Sequence, residues 1–156
     1  MTASGVWLGV DPGDVRVGIA ASDPEAVLAV PVETLTRGRR DVERICSIVV
    51  ERAAVGIFVG LPRSLSGAEG AAAARARQFA RELALRTTAA VRMVDERLTT
   101  VTATRELQAS GRSGRQTRSV VDQAAATVLL QAALDHMAAS GSPVGELVPG
   151  PAGAEQ

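Results

Sequence analysis

An α/β fold is what this chain predicts: a central mixed sheet opened by a β-hairpin, with helices on both faces. Three observations predict it. Strand-like and helix-like runs alternate from residue 39 onward. The first two strand-like runs are joined by a tight Asp-Pro-Gly-Asp turn. The run Val55 to Gly60 is short, unbroken and apolar, as strands buried on both faces are.

The elements follow in order. Val6-Trp7-Leu8-Gly9-Val10 reads as a strand, and Asp11-Pro12-Gly13-Asp14 as the turn that ends it. Val15 to Ala21 alternates Val15, Val17 and Ile19 with Arg16 and Gly18, which makes it the second arm of a hairpin. Val27 to Leu35 is a third strand, and Pro31, having no N–H to donate, assigns it to an edge or a break. From Arg39 to Ala54, Val42, Ile45, Cys46 and Val49 recur at helical spacing on one face.

Val55 to Gly60 is a buried parallel strand, followed by a Gly/Ser/Pro loop from Leu61 to Gly70. Ala71 to Arg86 is a helix and Ala90 to Asp95 a strand. Thr100 to Ser110 reads as a helix closed by Gly111, Arg112 to Thr117 as a flexible basic loop, and Ser119 to Ala139 as the last helix. The expected organisation is one domain over residues 1–139 with a disordered tail over 140–156, because that tail is rich in Gly, Pro, Ser and Glu.

Composition narrows the chemistry. The chain has 156 residues, 46 % of them hydrophobic, enough for a core without disulfides. With one cysteine, Cys46, an internal disulfide and a Cys-rich zinc site are excluded. One histidine, His136, leaves little room for a Ser-His-Asp or Cys-His mechanism, and both residues read as structural. Two phenylalanines and one tryptophan are too few for a base-stacking platform. No apolar run reaches the length of a membrane span and no secretory signal is visible, so the expected location is cytoplasmic, with no membrane partner. Net charge is zero, yet all seventeen basic residues are arginine, and five of them (97, 105, 112, 115 and 118) face a single acid, Glu106, between positions 97 and 118. That segment is either a solvated face or a local surface for phosphates.

Acids stand where elements begin or end: Asp11 after the first strand, Asp95-Glu96 after the last, and Asp122 in the first turn expected for the last helix. Ligands of open α/β sheets collect at the carboxyl ends of parallel strands. Carboxylates brought together there repel unless a cation joins them, and Mg²⁺ or Mn²⁺ joined to carboxylates supports phosphodiester hydrolysis. Each acid also has a structural reading. Asp11 suits position i of a turn, Asp122 suits a capping box begun by Ser119, and Asp95-Glu96-Arg97 suits an ion pair at a strand end.

Four stretches together resemble the YqgF/RuvX family: Leu8 to Ala20 (LGVDPGDVRVGIA), Val59-Gly60-Leu61-Pro62, Asp95-Glu96-Arg97-Leu98-Thr99-Thr100, and Val121-Asp122-Gln123-Ala124-Ala125-Ala126. They run in order from about Leu8 to Leu134. The resemblance implies a ribonuclease H-like fold related to Holliday-junction resolvases, and a nuclease that processes precursor 16S ribosomal RNA. It implies that Asp11, Glu96 and Asp122 are the catalytic, metal-holding acids, with Asp95 competing for the middle role because a strand alternates its faces. The family often has a basic pair before Val-Asp; Arg118-Ser119 keeps one charge of it. Arg16, Arg63, Arg97, Arg112, Arg115 and Arg118 are the candidate contacts to nucleic acid, arginine being a bidentate partner for phosphate.

Three further readings compete. A resolvase of branched DNA keeps the fold and needs a symmetric homodimer, where the RNA nuclease can be a monomer. A ribosome-associated protein that binds nucleic acid without turnover keeps the partner, including ribosomal particles, and loses the chemistry. A sugar kinase or actin-like ATPase needs two such domains, and this chain has one.

Overall fold

The computed structural model describes residues 4–64, 66–98 and 115–150. The expected helix over 100–110 and Arg112 lie outside the described residues.

Six strands form one mixed sheet: β1 (Val6–Pro12), β2 (Arg16–Ser22), β3 (Ala29–Thr36), β4 (Ala54–Leu61), β5 (Ala90–Asp95) and β6 (Glu146–Leu147). Their order across the sheet is β3-β2-β1-β4-β5-β6. β1 and β2 form the expected hairpin, in the register Val10↔Ile19 and Asp11↔Gly18, and its turn is closed by Gly13 N–H donating to the Arg16 carbonyl at 2.8 Å. β1, β4 and β5 run parallel, so their carboxyl ends lie at one end of the sheet. β3 is an edge, as Pro31 requires, and its register shifts beside that proline.

Among the described residues three α-helices cover the sheet: α1 (Asp41–Arg52), α2 (Ala71–Arg86) and α3 (Arg115–Ser140). The alternation along each strand assigns its side chains to two cores. Leu8, Val10, Val17, Ile19, Ile57 and Val59 face α1 and α2, packing on Ile45, Ile48, Phe79 and Leu83. Trp7, Ala20, Phe58 and Val94 face α3, meeting the stripe Ala125, Ala126, Leu129, Leu130, Ala133, Leu134 and Met137. That stripe has helical spacing, so one side of α3 is buried along most of its length. Few aromatics serve this core, and two of them stack: Trp7 lies on Phe58 with ring centroids 4.7 Å apart. Among the described residues no helix is long and apolar enough to cross a membrane.

Two expectations are corrected. The last helix begins at Arg115, four residues before Ser119, so residues 115–117 are helical and not part of a loop. The segment after Ser140 is ordered through residue 150 and not disordered. Its two-residue strand β6 pairs antiparallel with β5, and Val148 N–H donates to the Val91 carbonyl at 2.8 Å. Arg92 fastens the approach with its Nε on the Val144 carbonyl and Nη2 on the Gly145 carbonyl, both at 2.9 Å. The physical reason is the otherwise open edge of β5, whose backbone groups need partners, together with the burial of Val148 against the α2 side of the core.

Candidate active site

The site is built where the parallel strands end, on the side of the sheet that faces α3. Odd positions of β1 point to α3: Trp7 belongs to that core, and a Cβ on Gly9 would meet Leu130 and Ala126. Asp11 is the next odd position and is 2 % exposed. Its cross-strand partner is Gly18. A Cβ on Gly18 would run into the Asp122 carbonyl oxygen and stand 3.2 Å from Asp122 Cβ. The missing side chain therefore seats α3 on the hairpin with Asp122 beside the Asp11 pair, although the two acids are 111 positions apart in the chain.

Glu96 comes to the same side. Gly60 follows Val59, the register partner of Val10, so it stands next to Asp11. Glu96 Oε1 lies 2.8 Å from where a Gly60 Cβ would be, with Leu129 of α3 at 3.3 Å from that point. Val94, two residues before Glu96, also faces α3. Asp95, at the intervening position, is held elsewhere: its Oδ2 accepts from Arg97 Nη2 at 2.6 Å and lies 3.6 Å from Arg63 Nη1. The Arg97 guanidinium holds the Asp95 carboxyl below the usual carboxylate range. β5 ends at Asp95 and Glu96 begins a single 3-10 turn, Glu96–Leu98, so the two neighbouring acids part at the strand end.

Asp122 is the eighth residue of α3 and not in its first turn, so the capping role open to it in the sequence is excluded by position. Its Oδ2 accepts from Arg16 Nε at 2.8 Å, with both side chains partly exposed. Arg16 stands two residues from Gly18 on β2 and so shares its face. As the side chains lie, no three His, Cys, Asp or Glu groups among the described residues form a cluster that could hold a metal ion.

The other predicted basic residues are distributed. Arg63 and Arg97 are engaged by acids, Arg63 Nη2 donating to Glu69 at 3.0 Å and Arg97 to Asp95. Glu69 also pairs with Arg77, which draws its pKa down from 4.5 to about 2, and Arg77 reaches on to Glu146 of β6 at 2.9 Å. Arg115 and Arg118 lie in the first turn of α3.

One supporting residue has no signal in the sequence. Arg37 donates from Nη1 to the Gly13 carbonyl at 2.8 Å and from Nε to the buried Asp41 at 3.0 Å, while its guanidinium sits over Phe79 at 4.9 Å. It ties the turn after Asp11 to the first residue of α1. Within Thr36-Arg37-Gly38-Arg39-Arg40 nothing in the pattern distinguishes it from its neighbours.

A mixed sheet in this order, with a hairpin-borne acid at its centre and a helix laying a second acid across that hairpin, defines the ribonuclease H-like class. A solved structure agrees at the level of fold: Thermus thermophilus RuvC in complex with Holliday junction substrate superposes with a TM-score of 0.51 at 15 % identity, over 90 % of this chain and 99 % of that one. The chain belongs to the RuvX family, whose model, described as Holliday junction resolvase, matches residues 5–136. Among its relatives, a protein of Thermobifida fusca is 54 % identical over 94 % of this chain and 98 % of its own length. One of Nocardioides sp. is 52 % identical over 93 % and 97 %. Both carry the name "Putative pre-16S rRNA nuclease".

Proposed function

We propose that this chain is a divalent-metal-dependent hydrolase of phosphodiester bonds that matures the precursor of 16S ribosomal RNA in the cytoplasm, acting on free precursor or ribosomal particles. What supports the reading is that Asp11, Glu96 and the α3 residue Asp122 lie on the α3 side of the sheet near the carboxyl ends of β1 and β5, although as the side chains lie their carboxylates form no three-acid cluster. Relatives about half identical over nearly their whole length supply the substrate class.

The donor set fits Mg²⁺ or Mn²⁺ in kind: hard carboxylate oxygens, with glycine at 18 and 60 keeping side chains out of the space between them. Asp11, Glu96 and Asp122 would hold the ion, which would supply the Lewis acidity for activating water and offsetting charge on the leaving oxygen. Asp11, buried and fixed in the sheet, is the rigid member. Asp122 is positioned by its backbone on Gly18. Arg16, Arg115 and Arg118 are the residues we assign to phosphate contact, with Arg112 beside them in sequence. Arg63 and Arg97, paired to Asp95 and Glu69, orient the strand end next to the site.

A second reading, cleavage of four-way DNA junctions, is favoured by the family description and uses the same carboxylates. Incubating the protein with Mn²⁺ and end-labelled precursor 16S RNA, or with junction DNA, separates the two. Cleavage of RNA that disappears in Asp11→Asn is the expected result. Symmetric junction cutting by a homodimer, without RNA cleavage, establishes the second reading. Binding of RNA with neither cleavage, and a biological role kept by Asp11→Asn, would reduce the protein to a ribosome-associated binding factor and refute both.

A further inference from the structure

Among the described residues, Arg16 stands in direct contact with Asp122, one of the acids on the α3 side of the sheet, its Nε 2.8 Å from Asp122 Oδ2. The backbone of Asp122 is wedged against Gly18, so its carboxylate changes partner by side-chain rotation and not by movement of α3. Asp122 held by Arg16 is an Asp122 not gathered with Asp11 and Glu96, in keeping with the lack of a three-acid cluster among the described residues.

We propose that Arg16 is a displaceable counter-ion. In the metal-free protein it occupies Asp122 and offsets the charge of the site; a divalent ion competes with it for that carboxylate, and the released guanidinium turns to the phosphate of the nucleic acid. Metal loading and readiness for substrate are then linked through one side chain. The ion pair is partly solvated, 27 % and 15 % exposed, so it is weak enough to exchange. This inference rests on the metal-dependent reading above.

The test is calorimetric titration of the full-length protein with Mn²⁺, without nucleic acid. Arg16→Gln should bind Mn²⁺ about three- to tenfold more tightly than wild type, the scale of a partly solvated ion pair, and Arg16→Lys, which keeps the charge, within about twofold of it. In an Asp122→Asn background, Arg16→Gln should have no further effect, because the competition runs through Asp122. Equal tightening in that background would mean a general field effect and overturns the proposal, as does unchanged or weaker binding in Arg16→Gln. Arg16→Met, which keeps the packed stem, repeats the measurement should the Gln variant melt early. If Asp11→Asn and Asp122→Asn leave Mn²⁺ affinity untouched, the metal site itself is wrong and this inference falls with it. If those two variants lose binding while Arg16→Gln changes nothing, only the counter-ion role is lost.

Discussion

Adding one methyl group at Gly18 removes no polar atom, yet it should damage both stability and activity. The new Cβ would stand 2.5 Å from the Asp122 carbonyl carbon, where ordinary contact begins near 3.4 Å, so strand and helix must separate by about 1 Å. Both neighbours are backbone in regular elements, and no side chain can rotate to relieve the overlap. Overpacking of this kind costs typically about 1–3 kcal/mol, and a backbone-on-backbone clash belongs at the upper end. For a chain of this size each kcal/mol lowers Tm by about 2–4 °C, so Gly18→Ala should melt roughly 6–12 °C below wild type. Gly38→Ala is the control: an added Cβ there meets nothing within 4 Å, and its Tm should stay within about 2 °C of wild type. Circular dichroism melts measure both variants. Cleavage of precursor RNA, assayed well below the lowered Tm, should fall in Gly18→Ala because Asp122 has been carried away from Asp11. A Gly18→Ala protein that melts with the Gly38→Ala control and cleaves normally would refute the claim that this glycine sets the distance between hairpin and helix.

Glu96→Gln should reduce cleavage by more than about a hundredfold, and Asp95→Asn by less than about tenfold, since only Glu96 shares the face of Asp11; a reversed order in a single-turnover assay would show the faces to be misassigned. The Glu69 carboxyl, drawn from 4.5 to about 2 by Arg77, contributes stability that is present above pH 4.5 and lost as pH falls through about 2. The Tm difference between wild type and Glu69→Gln should accordingly shrink across that window, and a gap that widens on acidification would contradict the pairing. Leu130→Ala opens a cavity in the fully buried row where α3 meets Gly9, and should cost about 2–5 kcal/mol in urea unfolding, without the loss of metal binding that changes at Asp122 bring.

The strands and helices that bury one face or both were legible because burial writes a period into the sequence. β1, β2, β4, β5, α1 and α2 fall where alternation, apolar runs and helical spacing put them. The misses lie where burial is not the organising force. β6 is two residues long, too short for any period, and its partner is a backbone edge created by distant strands. A Gly/Pro/Ser composition reads as disorder because it has little side chain to bury, but pairing to an open edge uses main-chain groups that every residue but proline carries in full. The start of α3 was misplaced by Ser119, which has the chemistry of a cap and sits inside the helix instead.

The misplaced start also hid the best argument for Asp122. Read as a cap, it belongs to the solvent end of a helix, where an acid is unremarked. With the helix begun at Arg115, Asp122 falls three, four and seven residues before Ala125, Ala126 and Leu129, on the stripe that α3 buries. A carboxylate on an apolar stripe needs a partner, because desolvating a charge costs more than packing returns. The partner here is Arg16, whose own position in β2 alternates with Val17 and Ile19 of the opposite core. Asp11 poses the same problem, a buried acid in the middle of a sheet, and the resemblance of motifs recognised it where turn propensity explained it away. Asp95 and Glu96 part where β5 ends: Asp95 turns to Arg63 and Arg97, while Glu96, at the start of a 3-10 turn, lies over Gly60 beside Leu129 of α3. The two glycines that admit Asp122 and Glu96, Gly18 and Gly60, are therefore as much a part of the site as the acids themselves.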